Sequence, residues 1–168
     1  MDDQRSGTLS AAADSSFLIG LAFAEQVHLL DSMFERVFVP PAVWQEVVLR
    51  GAGRPGAAIL DSVRVLEQRS ADNLQAVALL EVFLGPGESE TLVLAQESGC
   101  DLVLLDDLRA RKAAQNAGLR TIGVVGFLLA AKRQGYVEEL GPLLDRLISQ
   151  GFRLGDTLIR TALREAGE

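Results

Sequence analysis

The stretch DLVLLDDLRARKAAQNAGLRTIGVV, residues 101–125, decides the fold. Asp101 to Leu105 forms a run short enough for a strand and apolar enough to be buried. Two adjacent carboxylates, Asp106 and Asp107, end it, and residues 107–117 then supply helix formers up to a stop at Gly118. A second apolar segment, Leu119 to Val124, follows directly. Alternation of short buried strands with helices is the signature of a parallel sheet covered on both faces.

The same alternation extends outward in both directions. Leu9 to Ala13 is a strand candidate weakened by its alanines, and it ends at Asp14. Residues 15–34 have apolar side chains at helical spacing, as two short helices, before the strand RVFVP at 36–40. Pro41 suits the first turn of the helix AVWQEVVLR, which stops at the loop GAGRPG, residues 51–56. Ser62 to Leu66 reads as a short strand or an extended connection. Ala71 to Leu84 reads as a helix, GPG at 85–87 breaks it, and Glu88 to Ser98 opens another. Helical stretches near 125–134, 136–149 and 155–166, punctuated by Gly135 and Gly151, would form a helical cover. The expected architecture is α/β, with a central, mostly parallel sheet in a single domain over residues 9–168 and a flexible lead over residues 1–8.

Composition bounds the function. Hydrophobic residues make up 48% of the chain and aromatics 5%, so the core must come mainly from Leu, Val, Ala and Ile. The apolar run Ile122 to Ala131 is far short of the roughly 20 residues a spanning helix requires. Residues 1–7 are polar and unlike a signal peptide, and Cys100 is the only cysteine, which excludes an intrachain disulfide. A soluble cytoplasmic protein is expected. The 16 Lys and Arg against 23 Asp and Glu leave a net charge of −7, which argues against a broad basic face for nucleic acid. A nuclease stays open, because an acidic site changes its local charge when divalent ions bind.

In an open α/β sheet the ligand crevice lies beyond the carboxyl ends of the strands. Asp14 and Asp106 each follow a strand, Glu88 opens the helix that leads into the Asp106 strand, and Glu46 lies on the helix after RVFVP. Each has an innocent explanation. Asp14, Asp106 or Asp107 could cap a helix, and if one of the adjacent pair caps, the other is free for another task. Glu88 could serve the helix dipole, and Glu46 precedes Arg50 at the spacing of a helical ion pair. Chemistry gives the reason to group them. Mg2+ and Mn2+ prefer oxygen ligands, and clustered carboxylates repel one another until cations neutralise them. Phosphoryl transfer assisted by two metals needs no His, Ser or Cys nucleophile. His28, Cys100 and Trp44 read as packing or surface residues, and GPG lacks the ending of a phosphate loop.

The ordered segments DSSFLIGL at 14–21, RVFVPPAVWQEVV at 36–48, GPGESETLVLA at 85–95, LVLLDDLRARKAA at 102–114 and LRTIGVVGFLLAAKRQG at 119–135 resemble a PIN domain. The tail GFRLGDTLIRTALREAGE is similar to the ending of a poorly characterised prokaryotic branch of that family. The resemblance implies a three-layer α/β/α fold and a small ribonuclease that uses Mg2+ or Mn2+, often the toxin of a toxin–antitoxin pair and often a homodimer. It places the metal-holding acids at Asp14, Glu46, Glu88 and Asp106, with Asp107 the alternative to its neighbour and Ser15 the hydroxyl that assists Asp14. Arg109, Arg111 and Lys112 after the acid pair, and Arg50 and Arg54 by the Gly-rich loop, could contact RNA phosphates. Two other classes compete. One is a PIN-fold binding or regulatory module with little catalysis, which suits the acidic balance. The other is a phospho-acceptor receiver, which would need a Lys after the last strand where Gly126, Phe127 and Leu128 stand.

Overall fold

The computed structural model describes residues 9–51 and 60–168. The lead expected over residues 1–8, Arg54 with most of its loop, and the side chain of Arg50 lie outside the described residues. Five parallel strands form one sheet in the order β3-β2-β1-β4-β5: β1 (Ser10–Ala13), β2 (Arg36–Val39), β3 (Leu66–Gln68), β4 (Leu102–Leu104) and β5 (Thr121–Ile122). The alanine strand that looked weakest is the central one. Ala11 sits between Val37 and Leu102, and Ala11, Ala12 and Ala13 are all fully buried. Pairing on both sides and burial on both faces override the low strand preference of Ala.

The two-residue period of the strands divides the core into two layers. Ala11, Ala13, Val37, Val39 and Leu104 face one, while Ala12, Phe38, Val103 and Leu105 face the other. The first layer takes α1 (Ser15–Phe23), α2 (Leu29–Met33), α3 (Pro41–Gly51), α7 (Val124–Arg133), α8 (Gly141–Ser149) and α9 (Asp156–Ala166). Its centre is aromatic, with Phe127 edge-on to Phe17 at 5.5 Å and stacked on Phe34 at 6.0 Å. The second layer takes α4 (Leu74–Leu80), α5 (Pro86–Glu97) and α6 (Leu108–Asn116). This is a three-layer α/β/α fold. Among the described residues, no helix is long and apolar enough to cross a membrane.

Several boundaries differ from the sequence reading, each for a stated hydrogen bond. β3 begins at Leu66 and not at Ser62, because Val63 N turns back to Leu60 O and the Asp31 side chain takes the Val65 N–H at 3.0 Å, so that Val65 joins the ladder only through its carbonyl, which accepts from Val37 N. The helix expected over 71–84 is only α4, since Asn73 caps it through Ala76 N and Glu97 takes the N–H groups of Asp72 and Asn73. β5 is two residues long: Leu119 N turns back to Ala114 O, and Gly123 already caps α7. The helix expected from residue 136 starts at Gly141. Its leading N–H groups are held by the last side chain of the chain, as Glu168 accepts from Leu140 N at 2.6 Å and Gly141 N at 2.8 Å and also binds Lys132.

These bonds hold the Glu168 carboxyl down at about 2, Lys132 contributing first and the two backbone donors next. A depressed carboxylate stabilises the fold above its unfolded value and loses that effect as pH falls through its folded value. Glu168→Gln is therefore expected to lower Tm at neutral pH, with the gap to wild type shrinking as pH falls from about 4.5 toward about 2. Thermal melts across that range check it.

Candidate functional site

The strand order reverses at β1, whose neighbours are β2 on one side and β4 on the other, so the crevice opens beyond the carboxyl ends of β1 and β4. Asp14 stands there, locked by its own N–H to Leu104 O at 3.1 Å, and only 1% exposed. Its Oδ1 accepts from Phe17 N at 2.9 Å and caps α1. The capping explanation is thus correct for one oxygen. The other, Oδ2, is buried with no hydrogen-bond partner.

Burial raises the Asp14 pKa well above the ordinary carboxylate value, against the Phe17 N–H, and the negative charges of Asp106, Glu88 and Glu46 raise it further. The three acids named with Asp14 from the sequence are therefore all within its electrostatic reach. They come from different elements. Only the fold brings them together.

The adjacent pair divides its labour. Asp107 Oδ1 accepts from Ala110 N at 2.9 Å and caps α6. Asp106 turns the other way, accepting from Val124 N at 3.0 Å at the start of α7, and leaves its Oδ2 buried and unpartnered. Burial raises the Asp106 pKa, opposed by the Val124 N–H and by the charge of Arg111. Gly123 makes this turn possible. A Cβ there would lie 2.9 Å from Asp106 Oδ1 and 3.2 Å from Arg111 Nη1, although its φ of −91° is open to any residue. Gly123→Ala is thus expected to displace the Asp106 carboxylate from Val124 N and lower Tm by about 2–4 °C, the size of one lost hydrogen bond of about 1 kcal/mol. Metal-dependent stabilisation, compared in the two proteins, reads that displacement.

Ser15 was expected to assist Asp14. Its Oγ instead donates to Glu46 Oε2 at 2.8 Å, so the hydroxyl fixes the acid from α3. Glu88, in the first turn of α5, accepts the Gly85 N–H at 3.0 Å. Gly87 lets α5 close on α3, since a Cβ there would meet Val43 Cγ2 at 3.0 Å and approach Glu46. Thr91 was missed in the sequence: it is fully buried, its Oγ1 donating to Gly87 O at 2.7 Å and reaching Ala13 O at 3.4 Å, which ties α5 to the end of β1. Its signal is a hydroxyl residue inside the buried apolar face of α5. Of the cations, Arg111 is beside Asp106, whereas Arg109 and Lys112 line a separate groove with Val82 and Phe83.

Among the described residues, no three His, Cys, Asp or Glu side chains form a ready set of metal ligands. The donors nonetheless fit a hard cation. Asp14 Oδ2 and Asp106 Oδ2 are carboxylate oxygens without partners; the charges acting on Asp14 are negative, and Arg111 is the cation beside Asp106. Mg2+ commonly takes only one or two carboxylates, with waters completing its shell.

A PIN-domain family model matches residues 10–168. The chain belongs to the PIN-domain family. The fold of this PIN domain is similar to the crystal structure of PAE2754 from Pyrobaculum aerophilum, with a TM-score of 0.50 and 16% identity over 73% of this chain and 96% of that one. No curated protein matches the sequence. PIN domains are generally nucleases that use divalent metals, and in this PIN domain two acids, Asp14 and Asp106, follow strands while Glu46 and Glu88 stand on helices.

Proposed function

We propose that this PIN-domain protein is an endoribonuclease that hydrolyses RNA phosphodiester bonds with Mg2+ or Mn2+, and that Asp14, Glu46, Glu88 and Asp106 are its site acids. The observation that carries the reading is the pair of buried, unpartnered oxygens, Asp14 Oδ2 and Asp106 Oδ2. Buried polar atoms without partners are uncommon, and a buried carboxylate under the charges of three other acids, as Asp14 is, favours a cation. When bound, the ion supplies Lewis acidity that lowers the pKa of a water and stabilises the leaving oxygen.

The residues divide the remaining work. Asp14 and Asp106 would hold the ion with their free oxygens, while their second oxygens stay anchored to Phe17 N and Val124 N. Glu46, oriented by Ser15, and Glu88 complete the acidic wall and can orient a water or accept its proton. Asp107 keeps α6 in place.

The test is cleavage of single-stranded RNA with and without Mn2+ or Mg2+, alongside thermal unfolding. A ligand bound only by the native state at a hundredfold excess over its Kd stabilises by about 2.7 kcal/mol, several degrees in Tm for a domain of this size. Cleavage that needs the metal, with a matching rise in Tm, is the expected result. Metal without effect on either overturns it.

The net charge of −7 favours a second reading, a PIN-fold module that binds RNA or protein with little catalysis. RNA binding without cleavage at any metal concentration would select it. The family also suggests the toxin of a toxin–antitoxin pair, acting as a homodimer. Growth arrest on induced expression, relieved by Asp14→Asn, reads the toxin role, and light scattering in solution reads the dimer. Within α1, Phe17, Leu18 and Leu21 are spent in the core, and Ser16, Ile19, Ala22 and Phe23 are only partly buried.

A further inference from the structure

Beside Asp106 a cleft of about 400 Å3 runs between the start of α7 and the segment before α9. Asp106, Arg111 and Arg153 line it together with apolar side chains, among them Ile122, Val125 and Leu158. Phe152, next to Arg153, packs its ring edge toward Gly20 on α1, where a Cβ would come within 3.1 Å. That contact anchors the strap carrying Arg153 to the body of the fold.

The two arginines share the cleft lining with a single carboxylate, Asp106. Arg36, Arg64, Arg133 and Arg146 are each engaged by a carboxylate. Among the described residues, Arg153 has no ion pair, hydrogen bond or ring contact, and Arg111 has only the longer-range field of Asp106. In an acidic chain, cations left without carboxylate partners on the wall of a cleft are available to an anion from outside. Guanidinium groups suit phosphate, whose oxygens they can meet in pairs. Apolar walls beside them suit the ring and sugar of a nucleotide, and the volume falls within the usual range of small-ligand sites, roughly 300–1,000 Å3.

We propose that this cleft seats the nucleotide adjoining the scissile phosphate, with Arg153 and Arg111 contacting phosphate oxygens. The proposal rests on the ribonuclease reading and adds to it a substrate-binding residue, Arg153, from the carboxyl-terminal strap. It also explains how an acidic protein can hold RNA: through a few focused contacts and not a broad basic face.

The test uses the whole chain. A short fluorescent single-stranded RNA is titrated in EDTA across a series of salt concentrations, and cleavage with Mn2+ is measured for wild type, Arg153→Ala and Arg153→Lys. Arg153→Ala is expected to weaken binding and raise KM about tenfold with kcat within about twofold, an effect of the size given by one lost charged contact. The slope of log K against log salt should fall by about 0.7 for one phosphate contact on a single strand. Arg153→Lys should restore the slope, which a merely structural role would not do. Arg153 is exposed, and an unchanged Tm shows that the variant folds. A wild type that cleaves while Arg153→Ala keeps its KM, Kd and salt slope overturns the cleft alone. Binding that depends on Arg153 without any cleavage supports the cleft and overturns the nuclease reading. A wild type that neither binds nor cleaves RNA overturns both.

Discussion

Asp14→Asn should melt higher than the wild type in metal-free buffer, on the order of 5 °C, as removal of an uncompensated buried charge predicts. It should also lose more than about 100-fold of its RNA cleavage, since losing only a partner of a metal ligand already costs 10–100-fold. The substitution keeps an oxygen for the Phe17 N–H, so the cap on α1 survives. Its amide then offers donors where Asp106, Glu88 and Glu46 supply negative charge.

The pH dependence separates this from ordinary stabilisation. Burial first, and then those three charges, raise the folded pKa of Asp14 above its unfolded value. The folded state therefore binds more protons between the two values, and stability falls as pH rises through that window. Below the unfolded value of 3.8, wild type and Asp14→Asn should melt together, and the gap should open as pH rises toward neutrality. Saturating Mn2+ should close or reverse it, because only the wild type retains the carboxylate. Melts of both proteins over pH, with EDTA or Mn2+, give four curves. Coincident curves at neutral pH without metal would sink the idea of a strained acidic pocket.

Asp106 and Asp107 should behave as different residues despite being neighbours. Asp107→Ala removes the Ala110 N–H acceptor at the start of α6 and should cost about 1 kcal/mol, within the usual range of a lost N-cap. For a domain of this size that is a drop of about 2–4 °C in Tm. Its Mn2+ response and its cleavage should survive. Asp106→Asn should lose both and raise Tm at neutral pH, by less than Asp14→Asn because Arg111 opposes the effect of burial, while Asn can still accept from Val124 N. Equal loss of metal response in both variants would mean that the two carboxylates share the ion.

The architecture was legible because its signals are local. Asp101–Leu105, the helix formers after Asp107 and the stop at Gly118 each declare themselves within a few residues, and their alternation requires crossovers that make the sheet parallel. The ends of the elements were less legible where a distant side chain took a backbone donor, as Asp31 does for Val65 and Glu168 does for Gly141. Such bonds join residues far apart in sequence, and no periodicity carries them.

The site follows the same division. That acids stand at strand ends is written in the chain at Asp14 and Asp106. What only the tertiary structure decided is which oxygen of each is left over, that Ser15 serves Glu46, that Asp107 caps while Asp106 turns toward α7, and that Arg153 shares a cleft with Arg111. The sequence by itself determined that Asp14 and Asp106 each follow a buried strand and precede a helix, because that is a matter of local conformation. It could not determine the order β3-β2-β1-β4-β5, and so could not place Glu46, Glu88 and Asp106 around Asp14. Strand order is settled by the summed burial of two core layers, and the convergence of four negative charges is a consequence of that packing which no single segment favours.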